Sequence, residues 1–403
     1  MGIIDSIVTE GAELWSDGRG PSLAVISGGW GLLLGTRMVY PVLLPYFRDS
    51  FGLSLTVAGF LITILWLGSA VGQLPGGILA DRYNERVVMA VSALLVGIAL
   101  GFVVMAPTAG LLFVATGLVG LGQSLYPIAR ITIVSHIYPE RLGSALGVTM
   151  ATGDLGQTVL PPLAGVLAVT VAWQAGLGFL IPFLVAIGIG IWVIVPAQKG
   201  ANSGGTSLSI DRIGLLVSEV REANLPFVSL ILVLFFLTWQ AFTGLYPTYL
   251  VEVKGLSSST AGLLFSIFFA FGVVVKPLAG GAYDRIGMRN ALVMVLAGPV
   301  AGFGVLPFVD GFWPLVGITA VVSTMLGSGA ITQSFVADAF SAEIRGTGLG
   351  VVRTVTAVIG STGPVLFGAI ADRGYFDEGY LLLAAVLLVV ILLTLRLPRG
   401  SSA

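Results

Sequence analysis

The chain has 403 residues, of which 56% are apolar or aromatic and only 10% charged, with 56 glycines, one histidine and no cysteine. Soluble domains carry about 25% charged residues, and no water-soluble fold hides this much apolar surface, so a soluble enzyme and a disordered chain are both excluded and a polytopic membrane protein is expected. The net charge of −1 leaves no electrostatic footprint for nucleic acid, and the cysteine and histidine counts exclude disulfides, thiol catalysis and multi-histidine or thiolate metal sites, so no cofactor or metal is expected.

A helix needs about 20 apolar residues to cross a bilayer. Residues 1–20 come first, as a cytoplasmic N-terminal segment. They carry Asp5, Glu10, Glu13 and Asp17 and lack the basic start and apolar core of a signal peptide. Twelve apolar runs follow, numbered here as spans 1 to 12: 23–47, 55–80, 87–106, 110–137, 143–169, 173–196, 225–250, 259–282, 289–308, 313–337, 345–370 and 379–397. Strands of a β-barrel would alternate at period two, and these runs do not. The polar stretch 197–224 begins with glycine and serine and reads as a flexible linker. The expected division is a six-helix bundle over 21–196, a cytoplasmic linker over 197–224, a second bundle over 225–397 and a tail over 398–403.

An even number of spans puts both termini on one side. With the termini inside, the cytoplasmic segments hold twelve Lys and Arg residues, and the outer loops hold only Arg48, Lys254 and Arg373. This asymmetry predicts a cell-membrane protein with both termini cytoplasmic.

The two halves repeat at a shift of 203 residues. "FGLSLTVAG" at 51–59 faces "KGLSSSTAG" at 254–262, "GGILADRYNER" at 76–86 faces "AGGAYDRIGMR" at 279–289, and "ERLGSALG" at 140–147 faces "EIRGTGLG" at 343–350. Chance similarity between apolar helices would match leucines and valines, not aspartates and arginines. Parallel repeats of this kind point to an alternating-access transporter with its site between the halves. "GGILADRYNER" resembles the signature of the major facilitator superfamily between helices 2 and 3, with Asn84 in place of its glycine. The second copy keeps the glycine as Gly287. The resemblance implies an all-α fold of twelve transmembrane helices in two pseudo-symmetric six-helix bundles. It also implies that the repeated clusters latch the outward-facing state: Gly77, Asp81, Arg82 and Arg86 with Glu140, and Asp284, Arg285 and Arg289 with Asp338 or Glu343. Positive-inside topology is the plainer account of the arginines, but it needs no aspartate. "GDLGQTVLPPLAG" in span 5 and "GSTGPVLFGAIADR" in span 11 loosely resemble the superfamily's antiporter signature, and small-residue packing with a proline bend explains the same letters.

A charge within a span costs about 2.5–3.5 kcal/mol on insertion scales, so each needs a reason. Arg37, Arg130, Lys276 and Arg353 are basic, and Asp154 is the only deep acid. Arginine's planar fork suits carboxylate or phosphate. The functional reading makes Arg37 and Arg130 anion-binding residues, with Arg353, and with Gln240 (the repeat partner of Arg37) beside Trp239 on the cavity wall. The structural reading pairs Arg130 with Asp154 and lets Lys276 snorkel to the interface. An arginine in span 1 and another in span 4 is similar to the anion–cation symporters of the superfamily. That resemblance implies a titrating acid nearby, for which Asp154 is the proton-coupling candidate. His136, the sole histidine, lies at the end of span 4 and reads as an interface residue. Tyr40, Tyr46, Tyr126, Tyr246 and Tyr249 read as interfacial anchors or packing.

The expected function is secondary active transport of a small organic anion by a monomer in the lipid bilayer, driven by protons as uptake. The alternative is a proton-coupled efflux antiporter for lipophilic or cationic compounds. No ATP-binding motif of the G-x-x-x-x-G-K-[ST] type is present, so a gradient must supply the energy.

Overall fold

In the computed structural model, described for residues 14–15, 18–73, 76, 79, 83–197, 225–329, 331–332 and 345–396, every apolar run is helical over its described part. Span 1 is Gly20–Phe51, span 2 Leu55–Val71 and span 3 Glu85–Val104. Span 4 divides at Leu125 into Ala109–Ser124 and Tyr126–Ile137, span 5 is Leu142–Thr170, and span 6 comprises Trp173–Gly178 and Leu180–Ile194. Span 7 is Leu225–Glu252, spans 8 and 9 together form Ser258–Val305, and span 10 is Phe312–Val322 with a 3-10 turn to Gly327. Span 11 comprises Arg345–Gly360 and Gly363–Ala371, and span 12 is Phe376–Thr394. Among the described residues, eight of these helices are individually long and apolar enough to cross a membrane.

Local chemistry sets the ends. The side chains of Ser54, Asn84, Thr108 and Ser257 accept hydrogen bonds from the first-turn amides of Val57, Arg86, Leu111 and Thr260, so spans 2, 3, 4 and 8 begin at N-caps. The long element of spans 8 and 9 is broken at Gly287, whose φ of 74° and ψ of 167° reverse the chain. Its counterpart in the first half is Asn84, a residue type that tolerates left-handed turns. It is instead an extended N-cap at φ −73°, because its side-chain oxygen holds the Arg86 amide.

Glycines let the helices approach. A Cβ at Gly31, Gly35 or Gly156 would collide with backbone across the seam between spans 1 and 5. The seam between spans 5 and 8 joins the two halves, with Gly262 against Pro161 and Pro162 and Gly165 against Ser258. Spans 2 and 11 join them again, with Gly59 against Pro364 and Gly368 against Leu55. The proline motifs of spans 5 and 11 therefore serve close packing. The tyrosines do so as well: Tyr40, Tyr126, Tyr246 and Tyr249 are fully buried rather than interfacial.

One side of the molecule carries the described chain ends, with Tyr83 and Glu140; it is called the termini side. The far side carries Ser54, Ser257 and Asp372. Among the described residues, the hydrogen bonds and ion pairs between the halves comprise three groups. On the far side, Arg48 pairs with Glu252, and Asp372 accepts from the backbone amides of Leu55 and Thr56, both at 2.7 Å, and from the Thr56 hydroxyl. Near mid-span, Lys276 meets Asp154.

Candidate functional site

Spans 1 and 4 run antiparallel and carry a two-rung ladder. Trp30 and Arg37 lie seven residues apart on one helix, and Gln123 and Arg130 seven apart on the other. Seven residues are about two turns, or about 10 Å, so each pair faces one way at two depths. On the upper rung, Arg37 donates from Nε to Gln123 Oε1 at 2.9 Å and from Nη2 to the Ser69 hydroxyl at 2.6 Å. Its guanidinium lies 4.5 Å from the Trp66 ring centre. Gln123 is fixed in turn by donating to the Leu33 carbonyl at 3.1 Å. On the lower rung, Arg130 donates from Nη1 to the Thr149 hydroxyl at 2.6 Å and lies 4.2 Å over Trp30. Tyr126 stacks on Trp30 and donates to the Ile26 carbonyl, which holds that ring in place.

The partners of both arginines are neutral. Among the described residues, neither makes an ion pair, Arg37 Nη1 has no partner, and Arg130 Nε is buried without one. Hydrogen bonds to hydroxyls and amides and a cation–π face stabilise a guanidinium, but they do not neutralise it. The site is a positively charged surface whose counter-ion does not come from its own described side chains.

The expected Arg130–Asp154 pair is not formed. Asp154 lies on the face of span 5 that it shares with Pro161 and Gly165, toward span 8. There it accepts from Lys276 Nζ at 2.6 Å and, weakly, from Gln157 at 3.4 Å. Lys276 accordingly does not snorkel, because its charge has an acid across the seam. In span 7, Trp239 sits in a nest of Phe235, Phe268 and Phe269, and Gln240 is buried with Oε1 unpartnered. Arg353 is exposed and makes no hydrogen bond or ion pair among the described residues, so the structure does not join it to the ladder.

The expected latch is only partly within the described residues. Gly77, Asp81, Arg82, Asp338 and Glu343 lie outside them. Arg86 does not reach Glu140. It lies 4.9 Å from the Trp192 ring centre and donates to the Val195 carbonyl at 3.4 Å, because span 3 packs along span 6. Glu140, Asp284 and Arg285 are exposed, and Arg289 Nε is buried without a partner. Sequence reasoning missed Glu85, which is 4% exposed and 3.8 Å from His136. It also missed Trp30, Trp66, Gln123, Ser69 and Thr149. The matching seven-residue intervals on spans 1 and 4 were the one signal that could have found the ladder.

The description "Major Facilitator Superfamily" matches residues 25–361 and 228–403. The chain belongs to the major facilitator superfamily. It is thus a multi-pass membrane protein and a secondary transporter, not an enzyme. Among superfamily proteins, it is 23% identical over 393 residues to the hexuronate transporter of Bacillus subtilis strain 168, covering 90% of each chain. It is 24% identical over 381 residues to the "probable sulfoacetate transporter SauU" of Cupriavidus necator, covering 87% of each. Its fold superposes on the crystal structure of the nucleoside transporter NupG with a TM-score of 0.78 at 14% identity, covering 93% of this chain and 98% of that one. This likeness carries the fold alone.

Proposed function

We propose that the protein takes up a small organic anion with protons across the cell membrane, its termini being cytoplasmic. The observation that carries this reading is the pair of buried arginines with only neutral partners. A transported carboxylate supplies the missing counter-charge, and a guanidinium fork binds it through paired hydrogen bonds. Trp239, Gln240 and Arg353 are the candidates for the opposite wall. Asp154 is the candidate proton carrier. The names of the hexuronate and sulfoacetate transporters support an anionic cargo. With cytoplasmic termini, the far-side bonds between the halves close the outer face, and the site faces inward. The repeated motif residues keep their proposed role as a latch of the opposite state.

The test uses purified protein in liposomes, with uptake of glucuronate, sulfoacetate and a lipophilic cation under an imposed pH gradient. Carboxylate accumulation in the alkaline compartment, into which the protons flow, is expected. Arg37→Lys keeps the charge and loses the fork, so binding should weaken about tenfold or more, the worth of a charge-assisted hydrogen bond of about 1.5–3 kcal/mol. Arg37→Gln should fold and not transport. Transport of the cation alone, or unchanged anion uptake by Arg37→Gln, would overturn the reading.

A further inference from the structure

We infer that the transported anion has a flat apolar body, as in an aryl carboxylate, and that Trp239, backed by Phe268 and Phe269, is the wall that selects it. The inference rests on the anion reading above and names the class of anion taken at that site.

The repeat shows how the two halves differ at equivalent positions. At the shift of 203 residues, Arg37, Trp66, Ser69 and Gln123 correspond to Gln240, Phe269, Gly272 and Leu326. The correspondence holds in space. In the first half, Arg37 bridges Ser69 on span 2 and Gln123 on span 4. In the second half, the equivalent gap between spans 8 and 10 is closed by direct packing, since a Cβ at Gly272 would come within 2.7 Å of Leu326 Cδ1. Trp66 carries the Arg37 guanidinium. Phe269 carries instead the indole of Trp239, the residue before Gln240, at a ring-centre distance of 6.4 Å. One half is thus built to hold a cation with its hydrogen-bond partners, and the other is built from rings and aliphatic chains. Gln333, the counterpart of Arg130, lies outside the described residues.

Depth sets the two surfaces level. Counted from the far-side helix ends at about 1.5 Å per residue, Arg37 and Gln123 lie about 21 Å in, Trp239 about 20 Å, and Phe268 and Phe269 about 15–17 Å. Spans 1 and 7 pack together between the halves. Trp239 is partly exposed, with Phe268 behind it at 5.6 Å. The indoles of Trp30 and Trp66 are covered by guanidinium groups, whereas no cation lies over Trp239 among the described residues. Its ring is left for a ring of the ligand. The second-half cations Lys276 and Arg353 lie deeper, at about 27 Å by the same count, and Lys276 is paired with Asp154. Few polar groups on this wall can serve a hydroxylated ligand. The hydroxyls of Thr238, Thr243 and Ser266 donate to carbonyls of their own helices. Among the described residues, the buried unpartnered polar atoms of the second half at this depth are Gln240 Oε1 and Thr356 Oγ1. A sugar acid would strand most of its hydroxyls here, and an apolar ring strands none while gaining burial.

Calorimetric titration of the purified full chain with phenylacetate, glucuronate and acetate tests this. Phenylacetate should bind about tenfold tighter or more than glucuronate, and than acetate, which has the head group alone. Trp239→Leu keeps an apolar side chain and removes the ring, so the ratio of phenylacetate to acetate affinity should fall toward one. Trp239→Phe should restore most of that ratio. Arg37→Gln should abolish binding of all three. The preference is read on the unaltered protein, so it decides the matter even where Trp239→Leu does not fold. Glucuronate bound as tightly as phenylacetate or tighter, and lost in Arg37→Gln, would overturn this inference and leave the anion reading standing. A folded Trp239→Leu protein that keeps the full phenylacetate-to-acetate ratio would also overturn it. Absence of binding of phenylacetate, glucuronate, sulfoacetate and nitrite would overturn the anion reading and this one together.

Discussion

Arg37 and Arg130 solve the same problem in the same way. Each is carried into the apolar interior on a glycine-rich or broken helix, laid on an indole and tied to a neutral oxygen. Indole faces and amide oxygens hold the guanidinium in position without cancelling its charge, so the charge stays available to a ligand. Gln123 is the clearest test of positioning. It accepts from Arg37 and is itself fixed to the Leu33 carbonyl at 1% exposure. Gln123→Leu keeps the volume and the net charge and leaves the guanidinium free to swing. Anion affinity should fall about tenfold, from a lost bond to a charged group of about 1.5–3 kcal/mol, with a melting temperature close to that of the unaltered protein. A large loss of stability with unchanged affinity would make Gln123 a packing residue. The arginines themselves were legible in the sequence, because a charge in an apolar run stands out. Their holders were not, since Trp30, Trp66 and Gln123 look like ordinary packing residues until two helices are set side by side. The partner of Asp154 was misread for a related reason. Arg130 is near in sequence and in the same half, whereas Lys276 is 122 residues away across a seam that no local pattern records.

At the scale of helices, glycine decides which pairs lie close. Span 1 meets span 5 where Gly31 and Gly156 face each other backbone to backbone. Gly156→Val would force this seam apart and tilt both rungs of the ladder. Overpacking costs about 1–3 kcal/mol, so a clear fall in melting temperature is expected together with weaker anion binding. Gly101 has open space around its Cβ position, and Gly101→Val should leave both properties nearly unchanged. Equal effects of the two substitutions would remove the seam from the account. Hydropathy runs alone were enough to locate the described helices, because the bilayer requires long apolar stretches. The interruptions at Leu125, Phe179 and Ser361–Thr362 were not anticipated, because each lies inside a run that hydropathy reads as continuous. The two copies of the duplicated motif turn differently: Gly287 reverses the chain at positive φ, whereas at Asn84 a capping bond takes the place of a left-handed turn.

For the whole molecule the question is which face is closed and what holds it. Sidedness is tested directly, because the native chain has no cysteine. Ser257→Cys, exposed on the far side, should react with an impermeant thiol reagent in intact cells, and Glu140→Cys only after permeabilisation; the reverse pattern would invert the proposed orientation. The far side itself is held by Asp372 and by the Arg48–Glu252 pair. Asp372 reaches from the end of span 11 to the first amides of span 2, where the helix dipole also favours a negative charge. Burial pushes its carboxyl up, but the Thr56 hydroxyl and amide, the Ser54 side chain and the Leu55 amide outweigh that and hold it below the usual carboxylate range. The sign follows from the lowered value: the clamp is fully present above the ordinary carboxylate pKa of about 4 and is lost only as pH falls through the depressed value. Closure of the far side should therefore not respond to pH between about 5 and 8. Spin labels at Val171→Cys and Trp313→Cys, exposed at 70% and 77% on far-side ends of opposite halves, would report the distance across the face. One short distance should hold from pH 8 to pH 5. Asp372→Ala removes the hydrogen bonds to the carboxylate and should populate a longer distance at every pH, shifting the closed-to-open ratio by about tenfold or more. Adding Arg48→Ala should make the open form dominant. If Asp372→Ala leaves the distance distribution unchanged, the two halves are held by the glycine seams of spans 2 and 11 and not by the clamp.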